Sequence, residues 1–319
     1  MGMDLLAEML LRPAFRPEDI ESEANVVLEE INMNEDDPAD VAHDRFARAL
    51  WGEHCLALPV LGTKESIGGM PRETVAAYWD RRYQPPATVL AAAGHLSHEW
   101  AVELAEEYFG GWQGPPVDHE YGSPAVVPRV EAKTRDTEQA HLVYGGEALT
   151  RGDDRRFAFG LLNHVLGSGM SSRLFREIRE ERGLAYAVYS FRMPYADSGA
   201  YGIYAGTTPR QAGQVLDLIR ATLTSLSAEG VTEEELERAK GNMKGSLALS
   251  MEETNSRMVR LGRHELTGVS HLSLDETVAA IEAVTLADVQ AVAEEVFSSA
   301  RVLGAVGPFA SADLEEYVQ

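Results

Sequence analysis

Two pairs of side chains in this sequence have types and spacings that could do chemistry. Glu23 and Glu30 lie in Asp19-Ile20-Glu21-Ser22-Glu23-Ala24-Asn25-Val26-Val27-Leu28-Glu29-Glu30-Ile31. Seven residues are two turns of a helix, so the two carboxylates share a face. Stacked carboxylates repel unless a cation or a donor lies between them. One of them could bind a metal while the other orients the shell around it. On spacing alone, a solvated acidic face is the simpler reading. Arg179 and Tyr186 flank Gly183-Leu184-Ala185. Facing a cleft, they could hold a peptide carbonyl or stabilise an oxyanion; the simpler alternative is a surface arginine and a strand tyrosine.

The other chemical signals are weaker. In Leu166-Gly167-Ser168-Gly169-Met170-Ser171-Ser172-Arg173 the glycines could cradle an anion ahead of a helix. No Lys-Ser or Lys-Thr follows them, so a structural turn is the default and a nucleoside-triphosphate loop is excluded. The histidines are His43, His54, His95, His98, His119, His141, His164, His264 and His271, and no His-Glu-x-x-His or His-x-x-Glu-His occurs among them. His95 and His98 are three apart at a strand-to-helix junction, a loose fit to metal-ligand spacing. His54 and the single cysteine, Cys55, are adjacent in sequence, which suits packing better than a nucleophile and its base.

These residues need elements to position them. Helical periodicity dominates the first fifty residues. A stripe of Leu5, Leu6, Met9 and Leu10 ends near Pro13, and a second helix opens at Pro17-Glu18-Asp19 and carries both glutamates to about Asn34. A third starts at Pro38 and carries Phe46 and Leu50. Thr88–Gly94 reads as a buried strand, and a helix capped by Ser97 reaches Tyr108. Glycines and prolines make residues 111–128 a linker. Beyond it come a strand at 140–144, a helix at 155–166, a strand pair at 185–192 and 200–206, long helices to about residue 298, and a last strand at 301–306.

The 319 residues carry 45% hydrophobic and 25% charged side chains and a net charge of −23. Such a chain can bury a core, and its charge repels phosphate backbones and anionic lipid, so nucleic acid and membrane surfaces are excluded as partners. One cysteine permits no intrachain disulfide and fits a reducing compartment. No apolar run reaches transmembrane length, and the residues after Met1 lack the pattern of a signal peptide, which makes the cytoplasm the expected compartment.

A weak internal repeat organises the whole. Ile67, Val75, Tyr83 and Val89-Leu90-Ala91-Ala92-Ala93-Gly94 face Ile281, Val289, Phe297 and Val302-Leu303-Gly304-Ala305-Val306-Gly307. Leu50-Trp51-Gly52 faces Leu266-Thr267-Gly268, and Asp4-Leu5-Leu6 faces Asp217-Leu218-Ile219. The offsets stay between 213 and 216 residues, so two copies of one α/β unit are expected. About eighty residues of the second copy, roughly 137–213, have no counterpart in the first. A first copy shortened in this way would leave an open sheet edge and an exposed core, and a lost N-terminus is the expectation.

Three stretches together resemble the pitrilysin/insulinase family of zinc metallopeptidases, in its processing-peptidase branch: Asp19–Asp37, His54–Ile67, and Gly167–Thr207 with its Gly-Met-Ser-Ser-Arg-Leu-Phe-Arg-Glu-Ile-Arg-Glu-Glu-Arg-Gly-Leu-Ala-Tyr. The resemblance covers essentially the whole chain. It implies an α+β fold of two-layer α/β units: two repeated pitrilysin-like domains in a clamshell, the first incomplete. The implied boundaries are a peptidase-domain remnant over 1–112, a linker over 113–136 and a non-catalytic repeat over 137–319.

The same resemblance implies the site. Glu30 stands where the family has its distal zinc carboxylate, Glu23 matches an acidic residue seven before it, and Arg179 and Tyr186 match the Arg-Tyr pair of the C-terminal half. The family's inverted His-x-x-Glu-His is missing. Its counterpart in the second copy is Gly160–His164, where His164 alone survives, and Ser246 faces Glu30. The implied activity is zinc-dependent cleavage of peptides or presequences, with this chain inactive alone for want of two histidine ligands and the general base. The implied partners are peptide or unfolded-protein substrates and a homo- or heterodimer. The alternative is a non-catalytic partner subunit of a heteromeric processing peptidase, against which the retained Glu30 argues.

Overall fold

The computed structural model describes residues 2–117, 122 and 124–319. His119 and part of the expected linker lie outside the described residues. Twelve α-helices are described: α1 Gly2–Leu11, α2 Pro17–Asp36, α3 Pro38–Trp51, α4 Lys64–Gly68, α5 Arg72–Arg82, α6 His98–Phe109, α7 Arg156–Asn163, α8 Ala212–Glu229, α9 Glu233–Glu252, α10 Thr254–Thr267, α11 Leu274–Ala283 and α12 Leu286–Phe297. π-Helical turns occupy His164–Ser168 and Phe175–Glu181. The strands are β1 Arg129–Thr134, β2 Ala140–Glu147, β3 Ala185–Pro194, β4 Gly199–Thr207 and β5 Arg301–Gly307. No helix among the described residues is long and apolar enough to cross a membrane.

The chain divides into two units that interleave in sequence. One comprises the described residues of Met1–Ile31, Leu61–Glu120 and Ser246–His271; the other comprises those of Asn32–Val60, Tyr121–Gly245 and Leu272–Gln319.

The second unit holds the sheet, in the order β1-β5-β2-β4-β3. β1 runs parallel to β5 and the other pairs are antiparallel. The central strands β5, β2 and β4 are mostly apolar and are buried along almost their whole length, as cover on both faces demands. One face is covered by α3, whose Val41, Ala42, Phe46, Ala49 and Leu50 pack with Val143, Tyr204, Val302 and Val306. Asp37 caps α3 by accepting from the Ala39 amide at 2.7 Å. Gly304 lets this helix come close: a Cβ there would run into the backbone of Ala42 and Phe46. On the other face Leu303 and Ala305 alternate with that set, and the buried Tyr201 meets Phe297 of α12 edge-on at 5.3 Å.

The first unit is different. Its only buried hydrophobic residues, among those described, are Ala7 and Ile31. Aromatic contacts hold parts of it together: Phe15 meets Trp79 at 5.7 Å, and the Arg72 Nε donates to the Phe15 carbonyl at 2.8 Å. The expected strand over Thr88–Gly94 does not form. Residues 89–93 make no backbone hydrogen bond among the described residues. The pattern is that of a buried strand, but a strand exists only where a neighbour satisfies its amides and carbonyls, and the described residues of this unit contain none.

Candidate functional site

Arg179 and Tyr186, seven residues apart, are brought together by a sharp reversal. Arg179 lies in the π-helical turn Phe175–Glu181, and π turns of this kind recur at functional sites. Gly183 then takes φ +62°, a left-handed conformation that glycine adopts without a Cβ penalty. The Leu184 amide returns to the Ile178 carbonyl at 2.9 Å, and β3 begins. β3 is an edge strand, and its register with β4 slips between Ala185 and Ala187. Tyr186 is the extra residue of that bulge. A bulge re-aims a side chain, and Tyr186 is 79% exposed.

The guanidinium of Arg179 lies against two rings. Its central carbon is 4.7 Å from the Tyr186 ring centre and 4.8 Å from that of Phe175. The neighbouring arginines of the same turn are neutralised: Arg176 pairs with Glu181 at 3.7 Å, and Arg182 with Glu177 at 2.6 Å. Arg179 has no carboxylate partner among the described residues. The guanidinium is planar by its own delocalisation and presents its N–H donors in one plane, a geometry suited to a carbonyl or carboxylate oxygen, and the two ring contacts limit its reorientation. Phe175 was not among the residues the sequence pointed to. Its position four residues before Arg179, one helical turn away, was the available signal.

Glu23 and Glu30 sit on α2 as expected, both exposed, with neither in an ion pair or hydrogen bond among the described residues. A zinc centre needs at least three protein ligands. Among the described residues no three His, Cys, Asp or Glu side chains come together in that way. The residues present therefore do not by themselves fit a zinc ion, and no reaction step is derived through one.

The remaining candidates are structural. The glycines at 167 and 169 are needed for space: a Cβ on Gly167 would lie 2.7 Å from the Ser190 amide nitrogen, and one on Gly169 2.9 Å from the His164 ring. His164 is half-buried in this π turn, and burial pushes its imidazole below the usual range. The His54 Nδ1 accepts from the Leu56 amide at 3.3 Å and its Nε2 donates to the Gly122 carbonyl at 3.1 Å, so His54 caps a turn. His95 and His98 are exposed at the start of α6 and belong to no cluster.

The fold is α+β, a five-stranded sheet with helices on both faces, and the arginine–tyrosine pair stands at the edge of that sheet. Two family models match. One, described as the peptidase M16 inactive domain, covers residues 69–243, and the other, insulinase (peptidase family M16), covers residues 2–64. The chain is 40% identical over 316 residues to an uncharacterized zinc protease of Streptomyces coelicolor, covering 97% of this chain and 69% of that one. It is 38% identical over 307 residues to an uncharacterized zinc protease of Bacillus subtilis, covering 96% and 75%. The chain belongs to peptidase family M16, the insulinase family. Among solved structures it is similar to a peptidase M16 inactive domain from Pseudomonas fluorescens, with a TM-score of 0.86 at 23% identity over 97% of this chain and 75% of that one. It is also similar to a protease from Helicobacter pylori, with a TM-score of 0.85 at 19% identity over 96% and 76%. At these identities the structural likeness shows the fold.

Proposed function

We propose that this chain serves a zinc-dependent endopeptidase that cleaves peptides or presequence-like segments, and that it contributes substrate binding rather than a complete catalytic centre. The observation that carries the reading is Arg179, a cation without a carboxylate partner among the described residues that lies against Phe175 and Tyr186 beside a bulged edge strand. The in-plane N–H groups of Arg179 would hold a substrate carbonyl, and the exposed Tyr186 hydroxyl would add a second donor. Glu30 would be one metal carboxylate, and Glu23, two turns before it, would support the shell. The two histidines and the general base are not among the 319 residues, so the chain alone would be inactive.

A second reading, a non-catalytic subunit that assists an active partner, is favoured by the match to an inactive-domain family model over residues 69–243. One experiment separates them. A quenched fluorescent peptide is incubated with the chain alone, with a His-x-x-Glu-His-bearing family member, and with both. Glu30→Gln is compared throughout. If Glu30 completes a metal shell, Glu30→Gln abolishes any activity the mixture gains. If the chain only assists, the gain survives Glu30→Gln and is lost with Arg179→Ala. No gain in any mixture, together with no peptide binding, rejects both.

A further inference from the structure

The turn that carries Arg179 also borders a cavity that Arg179 does not line. It lies within the second unit and has a volume of about 400 Å3. One wall is charged, with Arg173, Arg176, Glu177 and Glu181; another is apolar, with Leu218 and Ala221 of α8.

The π turn itself places these charges. In an α-helix the neighbours on one face are three or four residues apart. A π turn closes i→i+5 hydrogen bonds, so side chains five apart come together. Arg176 and Glu181 are five apart, and so are Glu177 and Arg182; both pairs meet across the turn Phe175–Glu181. The two pairs have the same spacing and the same chemistry, yet they end differently. Glu177 and Arg182 close to 2.6 Å, and the Arg182 Nε donates to the same oxygen at 2.8 Å. Arg176 and Glu181 stay open at 3.7 Å, beyond hydrogen-bond reach. Neither of these two side chains hydrogen-bonds to any other described residue.

The rest of the charged wall is committed. The Nε and Nη2 of Arg173 each donate to a Glu235 oxygen at 2.8 Å, Nη2 also donates to the Gly230 carbonyl at 3.0 Å, and Glu235 accepts from the Thr232 amide at 2.8 Å. These contacts hold the cavity's shape. What it offers a ligand is one guanidinium fork and one carboxylate, 3.7 Å apart. A simple anion would meet Glu177 and Glu181 as well as Arg176, and a simple cation would meet Arg173 and Arg176 as well as Glu181, so repulsion offsets attraction for either. A molecule with both charges close together satisfies both groups. An α-amino acid bears its ammonium and carboxylate on one carbon. In a dipeptide the two charges are a further residue apart, about 3.8 Å.

We propose that this cavity binds a free α-amino acid with an apolar side chain. Its carboxylate takes the Arg176 fork, its ammonium donates to Glu181, and its side chain lies against Leu218 and Ala221. The open ion pair is re-paired through the ligand, with both contacts charge-assisted. The inference goes beyond the peptidase reading and uses neither Arg179, Tyr186 nor a metal.

Titration calorimetry of the full chain with leucine, N-acetylleucine, leucinamide and leucylleucine tests it, with hydrogen exchange to locate the site. Leucine should bind and slow exchange within residues 173–181. N-acetylleucine lacks the ammonium and leucinamide the carboxylate; each should bind at least about tenfold more weakly, the loss expected for one charged contact. Arg176→Gln and Glu181→Gln should each weaken leucine binding by the same factor. Both side chains are more than half exposed, so these variants should keep Tm within about 2–4 °C. The proposal is overturned by no leucine binding up to about 10 mM, by protection confined to other segments, or by leucine affinity indifferent to both variants. Either blocked compound binding as well as leucine, or leucylleucine binding more tightly, overturns it too. Peptide cleavage is not read, so failure here leaves the proposed function standing, and failure of that function leaves this inference standing.

Discussion

At the scale of single residues, the pair of rings around Arg179 is the feature with the clearest consequence. Cation–π contacts at exposed sites contribute about 0.5–1 kcal/mol each. Phe175→Leu should therefore lower Tm by no more than about 2–4 °C. It would also free the guanidinium to rotate out of its plane, so a peptide that needs the in-plane donors should bind about tenfold more weakly. Titration of a fluorescent peptide, set beside a melt, checks both halves. A fall in Tm without loss of affinity would make Phe175 a packing residue only. Arg179→Lys keeps the charge and loses the fork, and should cost as much affinity as Phe175→Leu does. Both arginine and tyrosine were legible in the sequence through the specific Gly169–Tyr186 stretch. The third member was not, because a phenylalanine on a helix ordinarily signals core, and only the π turn and the bulge bring it under the cation.

Elements carry the next set of consequences. α9 is fastened to Arg173 by Glu235: the Nε and Nη2 of Arg173 each donate to a Glu235 oxygen at 2.8 Å. Burial by itself would raise the Glu235 carboxyl, but the Arg173 hydrogen bonds and the Thr232 amide outweigh it and hold the group below its ordinary value. A depressed carboxylate stabilises the fold above its unfolded pKa of about 4.3, and that contribution is lost as pH falls through the lower folded value. Wild type and Glu235→Gln should therefore differ in Tm at pH 7 and converge below about pH 4; thermal melts across that range decide it. The close approaches of α3 to β5 and of α10 to Ala91 make a second comparison. Gly304→Ala drives a Cβ into the backbone of α3 and should destabilise by about 1–3 kcal/mol, as overpacking does. Gly262→Ala meets only a methyl group at 3.3 Å and gains about 1 kcal/mol of helix propensity, so it should be neutral or stabilising. Denaturant titration of the two variants tests the sign at each copy.

At the scale of the whole molecule, burial is uneven between the two units. The second has a two-faced sheet sandwiched by helices, whereas the first buries only Ala7 and Ile31 among its described hydrophobic residues. Local stability follows buried contacts. Amides of α1, α5, α6 and α10 should exchange faster than those of β2, β4 and β5, and thermal unfolding should begin in the first unit. Hydrogen exchange resolved by peptide gives the order directly. Equal protection in both units would show that burial is not what sets the order.

Periodicity, caps and turn residues determined most of the helices by themselves: Pro17 and Pro38 open α2 and α3, Ser97 caps α6, and the strand pair expected at 185–192 and 200–206 forms as β3 and β4. Tertiary structure alone decided the fate of Thr88–Gly94 and the aim of Tyr186. The first is as apolar as β5, yet a strand is a property of its neighbours' hydrogen bonds, which no local pattern contains. The second depends on a one-residue slip between β3 and β4, which is set by how two strands pair and by nothing in either strand alone.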